Sequence, residues 1–328
     1  MLKSSAILAT YLVTGGAGFI GSHLAEHLAH LGHRVRVADS LITGKRSNLE
    51  HIPGVDFREG DLADLAFAES AVEGCDYVLH QAAIPSVPRS VSDPLTSHRA
   101  NVDATVNVLV ASRNAGVKRL VFAGSSSVYG DAPSLPKHED MSVNPLSPYA
   151  LQKAIGEQYM KLFTTLYGVS TVTTRYFNVF GPRQDASSSY SGVISQFATA
   201  LLQNRRPTIH GDGEQTRDFT YVANVVDGVL RACEVPEANG EIMNIATGGR
   251  ISLNELFRKM NAIIGATAKP IYAEERKGDI RHSQADITKA RKLLGYAPAV
   301  SFHDGLHRTI EWYRASTARG SGTLLRCL

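Results

Sequence analysis

The chain has 328 residues, 43% hydrophobic and 20% charged, enough to bury one large α/β core or two closely joined ones. Its 34 basic and 31 acidic residues leave a formal charge of +3 with no run of five like charges, so neither nucleic acid nor a membrane surface is an expected partner. No apolar run reaches the roughly eighteen residues of a membrane span, and residues 1–10 lead straight into a strand rather than forming a signal peptide. Three cysteines, Cys75, Cys233 and Cys327, form no close pair and suit a reducing compartment, so the expected location is the cytoplasm.

Short β-rich runs at residues 9–14, 34–38, 55–59, 77–80, 119–123 and 171–176 alternate with longer helical patterns, of which 94–113 and 148–167 are the most apolar. The strands are apolar throughout rather than alternating, so both faces of their sheet must be covered. That predicts an α/β fold, a doubly wound parallel sheet of the Rossmann type. After about residue 180 the rhythm loosens into Gly-, Pro- and Ser-containing loops, with one late strand at 242–246. The expected division is a dinucleotide-binding domain over 1–180, to which a later strand and helix return, a smaller α/β substrate lobe over 181–317, and a flexible tail over 318–328.

Between the first strand and first helix stand Gly15, Gly18 and Gly21. Glycines there allow a tight turn and close approach to a pyrophosphate, and the helix N-terminus supplies N–H donors, so this placement predicts a dinucleotide site. Asp39, eighteen residues beyond Gly21 at the end of the second strand, suits ribose hydroxyls and repels a 2′-phosphate, which favours NAD over NADP although Lys45 and Arg46 lie close behind. Asp61 ends the third strand, where an adenine contact and the cap of a helix starting at Leu62 are equally good readings.

Of twelve tyrosines only Tyr149 has a lysine four residues on, Lys153, and both follow a helix-starting Ser147-Pro148. They share one helix face. A free tyrosine, with a pKa of about 10, is a poor base at neutral pH, but a nearby ammonium and an oxidised nicotinamide favour its phenolate. Ser125, Ser126 and Ser127 follow the fifth strand and should emerge at the same sheet edge, where one hydroxyl can share a proton with Tyr149. His23 and His27 lie at helical spacing without a clear third ligand, so no metal site is expected.

Together TGGAGFIG, Asp39, SSSVYG, YALQK, RYFNVFGPRQ and GDGEQTRDFTYV resemble the extended short-chain dehydrogenase/reductase family from residue 11 to about 313. Within it HQAAIPSVPRS and GDIRHSQADITKA resemble the nucleotide-sugar 4-epimerases. The resemblance implies Tyr149 as base, Lys153 on the nicotinamide ribose, and Ser125 as the catalytic hydroxyl with Ser126 next in line. It implies Phe19, Ile20, Asp61, Leu62, Gln81, Ala82, Ala83, Asn101 and Phe177 around the cofactor, with Ser86, Asn178, Arg217, Arg276 and Ser283 around the substrate. Two arginines can grip a diphosphate without proton uptake, though Arg217 with Asp218 and Arg276 with Asp279 could equally be surface ion pairs.

The implied reaction is NAD-dependent 4-epimerisation of a UDP-hexose by a homodimer. Ser283 stands where relatives restricted to unsubstituted hexoses tend to carry tyrosine, which implies UDP-GlcNAc and UDP-GalNAc as preferred sugars with UDP-Glc and UDP-Gal accepted. A UDP-glucuronate 4-epimerase or decarboxylase would use the same pair, with Arg89 available for the carboxylate. A different class, a non-catalytic NAD-binding sensor or scaffold, is argued against by the intact Tyr149, Lys153 and Ser125.

Overall fold

The computed structural model describes residues 8–186, 192–275 and 280–324, with side chains described as far as residue 317. Strands β1 (Thr10–Thr14), β2 (Arg34–Asp39), β3 (Asp56–Glu59), β4 (Tyr77–His80), β5 (Arg119–Ser125) and β6 (Thr171–Tyr176) form within two residues of where the sequence puts them. The strand Ile242–Ile245 joins them, giving an entirely parallel seven-stranded sheet in the order Ile242–Ile245, β6, β5, β4, β1, β2, β3. The order reverses between β1 and β4, the switch point where open α/β sheets bind ligands.

Helices α1 (Phe19–His30), α2 (Leu65–Val72), α3 (Val87–Ser92), α4 (Pro94–His98), α5 (Ala104–Asn114) and α6 (Pro148–Tyr167) accompany the first six strands. Then come α7 (Val193–Leu202), α8 (Val222–Glu234), α9 (Leu253–Ile264), α10 (Thr288–Leu294) and α11 (Phe302–Leu324). Adjacent strand residues point to opposite faces. Leu12, Val78, Leu120 and Phe122 therefore pack beneath α2, α5 and α6, while Val13, Leu79 and Val121 pack beneath α1 and α8. The continuous apolar runs in the sequence are this two-sided burial.

A third apolar cluster builds the second lobe. Phe197, Leu256, Phe257 and Ile310 bring α7, α9 and α11 together, and Phe180, Phe219, Tyr221 and Phe302 meet ring against ring beside them. The chain passes between the lobes repeatedly: α8 lies on the sheet, Ile242–Ile245 pairs with β6, and after α9 the helix α10 packs into the same core before α11 rejoins the second lobe. Helix α11 runs to Leu324, so the boundary drawn at 317 falls inside a helix. Among the described residues no helix is long and apolar enough to cross a membrane.

Two helix expectations need correction. The single helix over 94–113 is instead α4, a π-helical turn at Arg99–Asp103, and α5. Asp93 caps α4 by accepting from Thr96 N–H, and the wide turn carries Asn101, whose buried amide is held by residues far along the chain. The second helix does not begin at Leu62. Asp64 caps α2 by accepting from Ala66 and Phe67 N–H, while Asp61 accepts from Ala63 N–H in the preceding turn. By contrast α6 has the start and stop read from sequence, with Ser147 accepting from Ala150 N–H, Pro148 in the first turn and left-handed Gly168 at the end.

Candidate active site

A cleft opens at the carboxyl edge of β1, β2, β4 and β5. It is lined by Gly15, Gly18, Phe19, Ile20, Gly21, Asp39, Asp61, Leu62, Gln81, Ala82, Ala83, Tyr149 and Lys153. Thirteen residues proposed from sequence thus come together on one surface. Gly15 has φ +65°, and a Cβ there would lie 2.7 Å from the Ala82 backbone; one on Gly21 would lie 2.3 Å from the Gly15 carbonyl. Only glycine permits the turn and the helix to approach this closely.

The far end of the cleft is set by Asp39, buried with its Oδ2 accepting from Ala17 N–H (2.9 Å) and Oδ1 from Leu41 N–H (2.8 Å). Burial pushes its carboxyl up and the two amides oppose that rise. The cations nearby are turned elsewhere. Lys45 pairs with Asp185 at 3.1 Å and the Arg46 guanidinium lies 4.9 Å over the Phe57 ring, so the acidic end faces NAD rather than a 2′-phosphate. A dinucleotide also fits the donor set, because Gln81 lines the cleft and its Nε2 is buried without a partner among the described residues.

The cradle's underside is a closed hydrogen-bond network. Thr105 donates to the Asn101 carbonyl (2.7 Å), which makes its oxygen the acceptor for His80 Nε2–H (3.0 Å) and leaves His80 Nδ1 to accept from Thr14 (2.7 Å). Thr14 Oγ1 in turn accepts from the Gln81 and Ala82 N–H groups. Asn101, expected at the cofactor, is instead a brace: its Oδ1 accepts from Ile84 N–H (2.7 Å) and its Nδ2 donates to Gln152 Oε1 (2.7 Å). It ties the loop after β4 to α6.

On α6, Lys153 is 4% exposed and its ammonium donates to the Ala123 carbonyl at 2.8 Å, 4.8 Å from the Phe122 ring centre. Burial pushes it down to about 8, with Glu157 opposing. Tyr149 lines the cleft one turn earlier. Burial raises its hydroxyl and the Ser125 side chain lowers it. Of the three serines, Ser127 turns back, donating from its hydroxyl to Ser125 Oγ at 2.9 Å, and Ser126 opens the 3-10 turn Ser126–Tyr129. Ser125 is the serine whose side chain acts on the Tyr149 hydroxyl.

One positioning group escaped sequence reasoning. Buried Ser90 on α3 accepts from Tyr149 N–H at 3.1 Å while donating to the Val87 carbonyl, satisfying a backbone donor that the first turn of α6 leaves over. Tyr176 is another, donating to Gln81 Oε1 at 3.0 Å from the cleft wall.

The remaining candidates lie apart from this wall. Phe177 is buried, its ring 6.1 Å from that of Tyr129, and Ser86 caps α3 by accepting from Arg89 N–H. Asn178 is exposed with φ +33°. Arg217 donates to the carbonyls of Thr216 (3.0 Å) and Arg281 (3.3 Å), and Ser283, 9% exposed, joins the same strand edge through its N–H to Thr216. Asp218 is not a surface partner for Arg217. It is fully buried and accepts from Thr247 N–H and Oγ1–H, Gly248 N–H and Ala285 N–H, binding three loops together. Arg276 and Asp279 lie outside the described residues. His23 is occupied by the Pro182 carbonyl at 2.9 Å.

A doubly wound sheet whose switch point faces a tyrosine and a buried lysine places the chain among the dinucleotide-dependent α/β enzymes. Residues 11–246 match the NAD dependent epimerase/dehydratase family, and the chain belongs to it, with NAD as its cofactor. A putative UDP-glucose 4-epimerase of Methanocaldococcus jannaschii is 40% identical over 305 residues, 92% of this chain and 98% of that protein. The UDP-N-acetylglucosamine 4-epimerase of Methanobrevibacter ruminantium, solved with UDP-N-acetylmuramic acid, superimposes with a TM-score of 0.91 at 38% identity, covering 94% of this chain and 99% of that one. The Thermus thermophilus UDP-glucose 4-epimerase in complex with NAD gives 0.86 at 36%, over the same shares.

His80 and His23 set an acid limit on the fold. Burial, then the charge of Lys153, pushes His80 down to about 3; burial, then Arg183, pushes His23 down to about 4. Both are neutral in the native state, whereas an unfolded histidine takes its proton near pH 6.5. Stability is therefore complete above about pH 6.5 and falls as pH drops below it, because the unfolded chain binds protons the native one refuses. Denaturant titrations at pH 7, 6 and 5 should show that fall, and His23→Gln should lessen it by about one proton. Parallel pH dependences for the parent and His23→Gln would contradict the argument.

Proposed function

We propose that the enzyme inverts C4 of a UDP-hexose and that the sugars it handles best are UDP-GlcNAc and UDP-GalNAc, with UDP-Glc and UDP-Gal also accepted. The observation that carries the proposal is that Tyr149 and Lys153 line the same cleft as Asp39, with the Ser125 side chain favouring the ionised Tyr149 hydroxyl. The chemistry NAD supplies when bound is reversible hydride removal at C4, giving a transient 4-keto sugar reduced on its other face, with positive charge beside Tyr149 in the oxidised form.

Tyr149 removes the proton of the sugar 4-hydroxyl and returns it, with Ser125 sharing that proton through its own hydroxyl. Burial makes Tyr149 reluctant to ionise by itself. Its base function therefore belongs to the loaded enzyme, when cationic neighbours favour the phenolate. Lys153 holds its ammonium at the cleft wall through the Ala123 carbonyl, leaving further donors for a ribose. Asn178, Arg217 and Arg276 take the diphosphate, and Ser86 lies toward the sugar. Anchoring at the diphosphate lets the hexose rotate between half-reactions without leaving. The short side chain of Ser283 leaves room for an N-acetyl group.

We assign residues 1–180, with α8 and Ile242–Ile245, to the cofactor and 181–317 mainly to the substrate. The assembly we propose is a homodimer. Val91, Leu95, Leu151, Leu162 and Leu166 expose large apolar side chains along α3, α4 and α6, with Leu95 82% exposed. An apolar face of that kind marks a protein contact.

Three measurements test this reading. Tyr149→Phe should lose about 10²–10⁴-fold in turnover while binding NAD as the parent does; equal epimerase activity in the two proteins would remove Tyr149 from the mechanism. Incubation with UDP-GlcNAc, UDP-Glc and UDP-GlcA separately, without added NAD, should yield 4-epimers of the first two, and turnover of the glucuronate alone would overturn the sugar assignment. In sedimentation, Leu166→Glu should convert a dimer to monomers; a parent that already sediments as a monomer refutes the assembly.

A further inference from the structure

Beneath Lys153 lies an ion pair to which the proton transfers give no part. Glu157 is one helical turn beyond Lys153 on α6, and Arg175 of β6 meets it through two parallel hydrogen bonds, Nε to Oε1 at 2.9 Å and Nη2 to Oε2 at 2.7 Å. The two side chains are 0% and 3% exposed. Desolvating both ions costs several kcal/mol each, and well-packed apolar residues commonly serve stability as well or better. Burial at that cost directs attention to what the pair adjoins.

It adjoins the reacting groups from below. Gly124 carries no side chain just where a Cβ would stand 3.1 Å from Glu157 Oε1, so the strand end that presents Ser125 closes onto the carboxylate. The Tyr129 ring lies 4.7 Å from the Arg175 guanidinium and its hydroxyl donates to Asn244 Oδ1 at 2.7 Å, which fixes the arginine from the other side. Around Lys153 stand Tyr149 and Glu157 from α6, neutral His80 from β4 and Tyr176 from β6, with Arg175 of β6 joined to this group through Glu157. Tyr129 and Glu139 lie beyond Arg175. Among the described residues Glu157 is the anion that acts on Lys153.

We propose that Glu157 and Arg175 are positioning residues for the reaction: the carboxylate keeps Lys153 charged within a dry site, and Arg175 keeps that carboxylate from drawing the ammonium away from Ala123 and the cleft. The inference rests on the reading of Lys153 as the lysine that serves the cofactor. Each partner has its own signature. With Glu157 neutral, Lys153 faces the Arg175 cation alone and gives up its proton at lower pH. With Arg175 neutral, Glu157 and Lys153 pair directly, so the lysine holds its proton to higher pH but leaves the Ala123 carbonyl.

The test reads Lys153 itself as well as turnover. In ¹³C-lysine-labelled protein, with the resonance assigned by Lys153→Met, Glu157→Gln should raise the neutral fraction of Lys153 about tenfold at a fixed alkaline pH, and Arg175→Met should lower it. The alkaline limb of kcat should move to lower pH in Glu157→Gln, with KM for the UDP-sugar little changed, whereas Arg175→Lys, which keeps a cation on Glu157, should retain the parent profile that Arg175→Met loses. The double variant Glu157→Gln/Arg175→Met leaves no unpaired charge and keeps the comparison readable if a single variant fails to fold. Its midpoint should fall between those of the parent and Glu157→Gln. Coincident Lys153 titrations in parent and variants, with only thermal stability altered, would overturn the proposal. Parent-like activity in Lys153→Met would instead sink the reading of Lys153 on which it rests.

Discussion

The hydrogen bond from the Lys153 ammonium to the Ala123 carbonyl joins α6 to β5, the elements that carry Tyr149 and Ser125. It sets α6 against β5 at one height. At that height Tyr149, a turn earlier on the helix, meets Ser125, two residues further along the strand. The bond is charge-assisted and shielded from water, so it holds a defined length rather than trading with solvent. The same shielding makes the lysine easier to neutralise, which is why the groups beneath it matter.

Opposite this helix the cradle is held by neutral polar groups. The His80 network fixes the ends of β1 and β4 without introducing a charge, and its single consistent set of donors leaves no hydrogen free to rearrange. Asn101 and Gln152 then carry the constraint across to α6. Two rigid walls, one neutral and one cationic, thus face each other across the cleft. With His80 held neutral, that wall adds no titrating group near neutral pH to those across the cleft.

Much of this was legible in sequence because it is local or periodic. Fully apolar strands, the glycine turn before α1, and the Ser147-Pro148 start of α6 each follow from chemistry within a few residues. The unread features are pairings between distant polar groups. Nothing near Asn101 announces that its amide serves Ile84 and Gln152, or that the helix widens there into a π turn. Asp61 reads as the cap on paper, but the turn after β3 delays the helix so that Asp64 caps it instead. Arg217-Asp218 reads as a surface pair until two distant loops converge on the aspartate. Ser90 is invisible without the docking of α3 on α6.

The return of the chain to the sheet after the second lobe bears on how the protein is made. Until Ile242–Ile245 has been synthesised, β6 is an unpaired edge with its backbone donors and acceptors bare. The cofactor half can collapse early around β1 to β5, yet it stays adhesive along one side until roughly three-quarters of the chain has emerged, the stage at which nascent α/β chains are prone to aggregate. Expression yield, more than the thermal stability of the finished enzyme, should therefore respond to changes in that late strand.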